Sequence, residues 1–121
     1  PNGLRIATIH GWTGLTFVGG DSVFSKLTAR EEVDRTGIYI LAGMDPERSG
    51  GTRVYIGSAN SVSQRIKQSA EKRAFWETAI AVTTSDDALS KGHVEYLEAR
   101  LIELATLSLI HLCRYRRLTQ S

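Results

Sequence analysis

The chain has 121 residues, 41% of them hydrophobic, with a formal charge of +2, a pI of about 9.0 and one cysteine. That length and apolar fraction suit one ordinary globular domain with a real core, and they exclude a disulfide-stapled mini-protein and a disordered tail. The single cysteine, Cys113, rules out an internal disulfide and points to a reducing compartment, so a cytoplasmic protein is expected. The longest apolar run, "LATLSLIHLC", is about half the roughly 20 residues of a membrane helix, and no membrane association is expected.

In chain order, "LRIATIHGWTGLTFVGG" alternates β-formers around "GWTG" and reads as a hairpin over residues 4–18. "DSVFSKLTAREEVDR" predicts a helix capped by Asp21 or Ser22, with Val23, Phe24 and Leu27 on one face. The next turn of that face carries Arg30 and Glu31, so a surface helix is expected. "GIYILAG" (37–43) and "TRVYIGS" (52–58) are strands joined by an exposed loop, "MDPERSGG". From Ser61 to Trp76 the apolar positions Val62, Ile66, Ala70 and Ala74 recur every fourth residue and predict a helix. "ETAIAVTTS" is a further strand. "ALSKGHVEYLEARLIELATLSLIHLC" is a long amphipathic helix, with Ser90 as its N-cap and Val94, Leu97, Leu101, Leu104 and Ser108 on the apolar stripe. The pattern predicts an α+β domain with a small three-stranded antiparallel sheet flanked by helices. An N-terminal hairpin and helix (1–36) form an appendage to the main domain (37–121).

Charge is segregated along this order. Residues 62–76 carry Arg65, Lys67, Lys72 and Arg73 against Glu71, and the tail adds Arg114, Arg116 and Arg117. Residues 86–103 run acidic. Helical phasing then singles out one carboxylate: with Val94 at zero and about 100° per residue, Glu98 falls at about 40°, beside Leu101 and Ala105, whereas Glu95 falls at about 100°. Glu98 therefore enters the edge of the buried stripe, where an ionised carboxylate needs a cation or hydrogen bonds. His10, His93, His111 and Cys113 lack the spacing of a zinc site. Each of Tyr39, Tyr55, Arg65 and Glu98 has an ordinary structural explanation taken singly.

Taken together, "GIY" at 37–39, "YIG" at 55–57, an arginine eight residues after Gly57 and the glutamate of "YLEARLIE" form an ordered set. With these motifs the chain resembles the GIY-YIG nuclease superfamily, over residues 37–105. The lead-in "GLRIATIHGWTG" and "SKGHVEYLEARLIELA" resemble a stand-alone microbial branch of it. The resemblance implies a metal-dependent endonuclease that hydrolyses phosphodiester bonds in DNA. It makes Tyr39 and Tyr55 active-site phenols, Arg65 a clamp on the transition state, and Glu98 the ligand of one Mg²⁺ or Mn²⁺. A planar guanidinium matches phosphate oxygens. A hard cation held by a carboxylate and waters polarises the phosphate. A phenol with its free pKa of about 10 is a poor base, so Tyr39, or alternatively Tyr55, would need help from its neighbours to accept a proton. Lys67, Lys72 and Arg73 would add backbone contacts to DNA, with specificity coming from substrate shape or a protein partner. Departures from the family pattern are the long loop between the tripeptides and Ser69, where relatives place a histidine or tyrosine. A catalytically inactive interaction module on the same scaffold is the competing expectation.

Overall fold

The structure, a computed structural model, describes residues 3–8, 14–47, 49–84, 90–107 and 111–112. The strands are β1 (Arg5–Thr8), β2 (Gly14–Gly20), β3 (Gly37–Met44), β4 (Thr52–Ala59), β5 (Trp76–Thr84) and β6 (His111–Leu112). The helices are α1 (Phe24–Thr28), α2 (Val62–Lys72) and α3 (Lys91–Leu107). The fold is α+β, as expected. The sheet is larger than expected: among the described residues it has six strands in the order β1-β2-β5-β3-β4-β6.

The three anticipated strands form its centre, β5 against β3 and β3 against β4, all antiparallel. The front hairpin is no appendage to this sheet. β2 runs antiparallel along the far edge of β5, from Gly14 opposite Thr84 to Gly20 opposite Thr78. β5 presents two edges of backbone donors and acceptors, and an edge left bare would need another partner. The pairing spans more than half the chain, which local patterning cannot register. At the opposite edge β6 lies parallel to β4, so the final helix ends at Leu107 rather than running on to Cys113.

Side chains of the central strands alternate between the sheet's two faces. Tyr39, Leu41 and Tyr55 join Phe17, Leu27, Val33, Val62 and Ile66 in a core under α1 and α2. Ile38, Val54 and Ile56 pack with Val94 and Ala105 under α3. The segment after β2 is neither a continuous helix nor a surface one. It consists of a 3₁₀ turn at Asp21–Val23, the short α1, and a second 3₁₀ turn at Glu31–Val33, with extended backbone at Arg30 between them. Leu27 and Val33 are both fully buried. Six residues at about 100° each would leave them some 120° apart on one helix, and the extended residue resets the phase so that both reach the core. Neither Asp21 nor Ser22 caps the first turn by a side-chain hydrogen bond.

α2 ends at Lys72, with Arg73 extended, so Ala74 lies beyond it. Its entry is held by Val62 N–H donating to the Arg35 carbonyl and by the Ser61 and Ser63 hydroxyls donating to Asp34 Oδ1. The Ser90 hydroxyl caps α3 as expected, accepting from His93 N–H at 3.2 Å. The stripe on α3 is rotated slightly from the expected one: Val94, Glu98 and Ala105 are buried, whereas Leu104 is 49% exposed. Ser108, the expected next member, lies outside the described residues, as do the "GWTG" turn apart from Gly14, Asp86, Asp87, His10, Cys113 and the arginine-rich tail. The loop between β3 and β4 is pinned by Arg53, which pairs with Asp45 and Glu47 at 3.6 and 3.3 Å. Asp45 is buried there. Among the described residues no helix is long and apolar enough to cross a membrane.

Candidate active-site cleft

Tyr39 on β3 stands opposite Gly57 on β4, and this register explains why the second tripeptide ends in glycine. A Cβ added at Gly57 would lie 2.5 Å from both Cζ and Oη of Tyr39. The bare backbone lets the phenol cross the strand and reach α2, where its hydroxyl shares a 2.9 Å hydrogen bond with Ser69 Oγ. Tyr55 lies on the same face, its ring centroid 6.0 Å from that of Tyr39. Both tyrosines are 1% exposed. Burial pushes the Tyr39 phenol up to about 12; the Ser69 hydrogen bond and the Arg65 charge pull the other way, while Tyr55 adds to the rise. The phenol is therefore neutral throughout the physiological range. Ser69 is its buried partner.

Arg65 sits one turn into α2 and is exposed. With Thr36, Ser58, Asn60, Val94 and Glu95 it lines a cleft of about 190 Å³ at the rim of the sheet, where the end of β4 meets α2 and α3. Its guanidinium makes no hydrogen bond or ion pair with any described residue. Most other described arginines are committed: Arg30 to Glu32, Arg35 to the Thr84 carbonyl, Arg53 to Asp45 and Glu47, Arg73 to the Ser69 carbonyl and Arg100 to Glu103. Holding an uncommitted guanidinium beside an open cleft is the arrangement an anion-binding group requires.

Glu98 comes to the same rim from the other face of the sheet. It is 8% exposed, and its Oε1 accepts a 2.8 Å hydrogen bond from Ser58 Oγ. Ser58 is itself a wall of the Arg65 cleft, so Glu98 stands one hydrogen bond behind it. Glu95, one turn earlier on α3, is exposed and lines the cleft directly. The structure thus brings Arg65, Ser58 and Glu95 to one cleft; Glu98 is not among its lining residues, reaches it through the Ser58 hydrogen bond, and borders a second groove along α3 with Glu95, Tyr96 and Arg100. Tyr39 and Tyr55 are not among the residues lining that cleft; they pack in the core under α2.

The basic residues are likewise divided. Lys67 and Lys72 are exposed. Arg73 sits over the Tyr55 ring, its Cζ 3.6 Å from the ring centroid, and donates to the Ser69 carbonyl at 3.3 Å. Lys67 and Arg73 border a separate groove of about 640 Å³, together with Phe24, Trp76 and the acids Asp21, Glu71 and Glu77. The basic set is therefore not one continuous positive surface. His93 caps back onto Ser90 Oγ at 3.0 Å.

Ser58 and Glu95 were not singled out from sequence. Only the strand register shows that Ser58 faces α3, and the phasing of Glu95 aimed it away from the core without indicating that α2 would face it there. Among the described residues no group of three or more metal-ligating side chains occurs. The donors in the cleft, the Glu95 carboxylate and the Ser58 hydroxyl, and the Glu98 carboxylate one hydrogen bond behind them are all oxygen. Such a set fits a hard cation that takes one or two carboxylates from protein and fills its remaining positions with water. No family model, curated protein or solved structure matches this chain.

Proposed function

We propose that the protein is a divalent-metal-dependent endonuclease that hydrolyses phosphodiester bonds in DNA, in keeping with its resemblance to the GIY-YIG nucleases. One observation carries the reading: the uncommitted Arg65 guanidinium borders a small cleft that also contains Glu95 and backs onto the buried Glu98. In this reading Arg65 donates its planar fork to the nonbridging oxygens of the scissile phosphate, where charge accumulates in the transition state. Glu98, with Glu95 beside it, would hold Mg²⁺ or Mn²⁺, which supplies Lewis-acid polarisation of the phosphate and stabilisation of the departing 3′ oxygen. Glu95 is the exposed carboxylate of the cleft and the group suited to take a proton from an attacking water there. Tyr39, with its phenol held up to about 12, is not a base at neutral pH; it serves as a positioning residue that ties Ser69, and so the α2 turn carrying Arg65, to the sheet. Lys67 and Lys72 add salt-sensitive, sequence-independent contacts to the DNA backbone.

The burial of both phenols favours one competitor, an interaction module that binds nucleic acid or protein on the same scaffold without cutting. Incubating the purified protein with plasmid and single-stranded DNA in Mg²⁺ or Mn²⁺ separates the two. The nuclease reading expects metal-dependent cutting that falls by about 10²- to 10³-fold in Arg65→Ala, the range for removing a donor that stabilises transition-state charge, and that is lost in Glu98→Ala. DNA left intact by the wild type, yet retained in a salt-dependent complex, establishes the module instead.

A further inference from the structure

Between the cleft and the buried carboxylate stands one hydroxyl. We infer that Ser58 is the positioning residue of the cation site, the group that sets how Glu98 is presented to a divalent ion; this rests on the nuclease reading above. Ser58 follows Gly57 on β4, and alternation along the strand turns it to the α3 face, opposite to the face that receives Tyr39 and Tyr55. It both borders the Arg65 cleft and makes a hydrogen bond to Glu98, from Oγ to Oε1 at 2.8 Å.

The physical case is one of restraint. A glutamate has three rotatable bonds, and one at the edge of a helix stripe can otherwise turn outward to water. Accepting from Ser58 fixes one oxygen of Glu98 against the strand and so limits the orientations in which the carboxylate can be presented to a cation. The bond also joins β4, which leads through Asn60 and Ser61 into the Arg65 helix, to α3, which carries Glu95 and Glu98. Cation and phosphate subsites are thereby referenced to a single atom, Ser58 Oγ. Hydrogen bonds of this kind, one shell outside a metal, change metal affinity by about 10- to 100-fold when removed. A serine can do this because it is short, neutral and able to donate. Alanine cannot donate, whereas threonine keeps the hydroxyl.

The test is direct cation binding by the DNA-free protein. Mn²⁺ is titrated into wild type, Ser58→Ala, Ser58→Thr and Glu98→Ala, with free Mn²⁺ followed by electron paramagnetic resonance and thermal melts run in parallel without metal. The expected result is about a tenfold or greater loss of Mn²⁺ affinity in Ser58→Ala, recovery in Ser58→Thr, and a matching shift of the Mg²⁺ concentration needed for half-maximal cutting with little change at saturation. A Ser58→Ala protein that binds Mn²⁺ within about twofold of wild type overturns the inference and leaves the nuclease reading standing. So does a loss of affinity that merely follows a collapse of the melting transition and is not restored by threonine. A wild type that binds no Mn²⁺ overturns both.

Discussion

Replacing Gly57 with alanine tests the packing on which the site is built. The new Cβ would sit 2.5 Å from Cζ and Oη of Tyr39 and 2.9 Å from Cε1, whereas carbon atoms rest at about 3.5–4.0 Å. The phenol must retreat by about 1 Å. It has little room, because the ring is packed beside Tyr55 and tied to Ser69 at 2.9 Å. Overfilling a core of this kind costs about 1–3 kcal/mol, and stretching the buried Tyr39–Ser69 bond costs about 1 kcal/mol more. Relief of glycine's backbone entropy returns up to about 1 kcal/mol. The net expectation is a loss of about 1–3 kcal/mol, or roughly 5–10 °C in melting temperature for a domain of this size. Urea unfolding followed by tryptophan fluorescence measures it, and combining the change with Tyr39→Phe examines its cause. Phenylalanine releases the tether and shortens the ring, so the double variant should be more stable than additivity predicts by about 1 kcal/mol. A Gly57→Ala protein within about 0.5 kcal/mol of wild type, or costs that simply add, refutes the crossing of Tyr39 over this glycine as the reason for the residue.

Four further outcomes follow from the same structure. With the folded Tyr39 pKa raised to about 12 against an unfolded value of about 10, its contribution is fully present below pH 10 and is lost as pH rises through 12; base titration by phenolate absorbance should show a late-titrating component that is diminished in Tyr39→Phe. Gly92→Ala places a methyl on an exposed first turn of α3, where the nearest described neighbour is Ser90 Oγ at 4.0 Å, so chemical denaturation should report a gain of about 0.5 kcal/mol from helix propensity. Arg73→Ala removes the guanidinium stacked on Tyr55 and should cost about 1 kcal/mol. Lys72→Ala, on an exposed side chain, should instead leave stability unchanged and flatten the salt dependence of DNA binding by about one unit of slope.

Local order was legible along most of the chain because each element announces itself within a short window. The strands of "GIYILAG" and "TRVYIGS" came out within a residue or two of expectation, and the Ser90 cap of α3 was readable from residue type alone. The burial of Glu98 followed from one angle on a helical wheel. Misreadings cluster where distant segments compete for the same space. Leu27 and Val33 broke a helix that local pattern would have continued, because the core needed both side chains. Tyr39 and Tyr55 share a tripeptide logic with Arg65, yet the cleft beside Arg65 is walled by Ser58 and Glu95, which no spacing marked.

What the sequence by itself determined was periodicity: which stretches pleat, which coil, and which polar residues fall on an apolar stripe, all properties of bonds and sterics between near neighbours. Only the tertiary structure decided the strand order, the addition of β2 to β5 across some sixty residues, and the meeting of α2 with α3 at the end of β4. Those outcomes depend on which edges and faces remain unsatisfied once the local elements exist, and that is a property of the whole chain. The side of the sheet on which each functional group lies, phenols beneath α2 and carboxylate beneath α3, is fixed there and nowhere earlier.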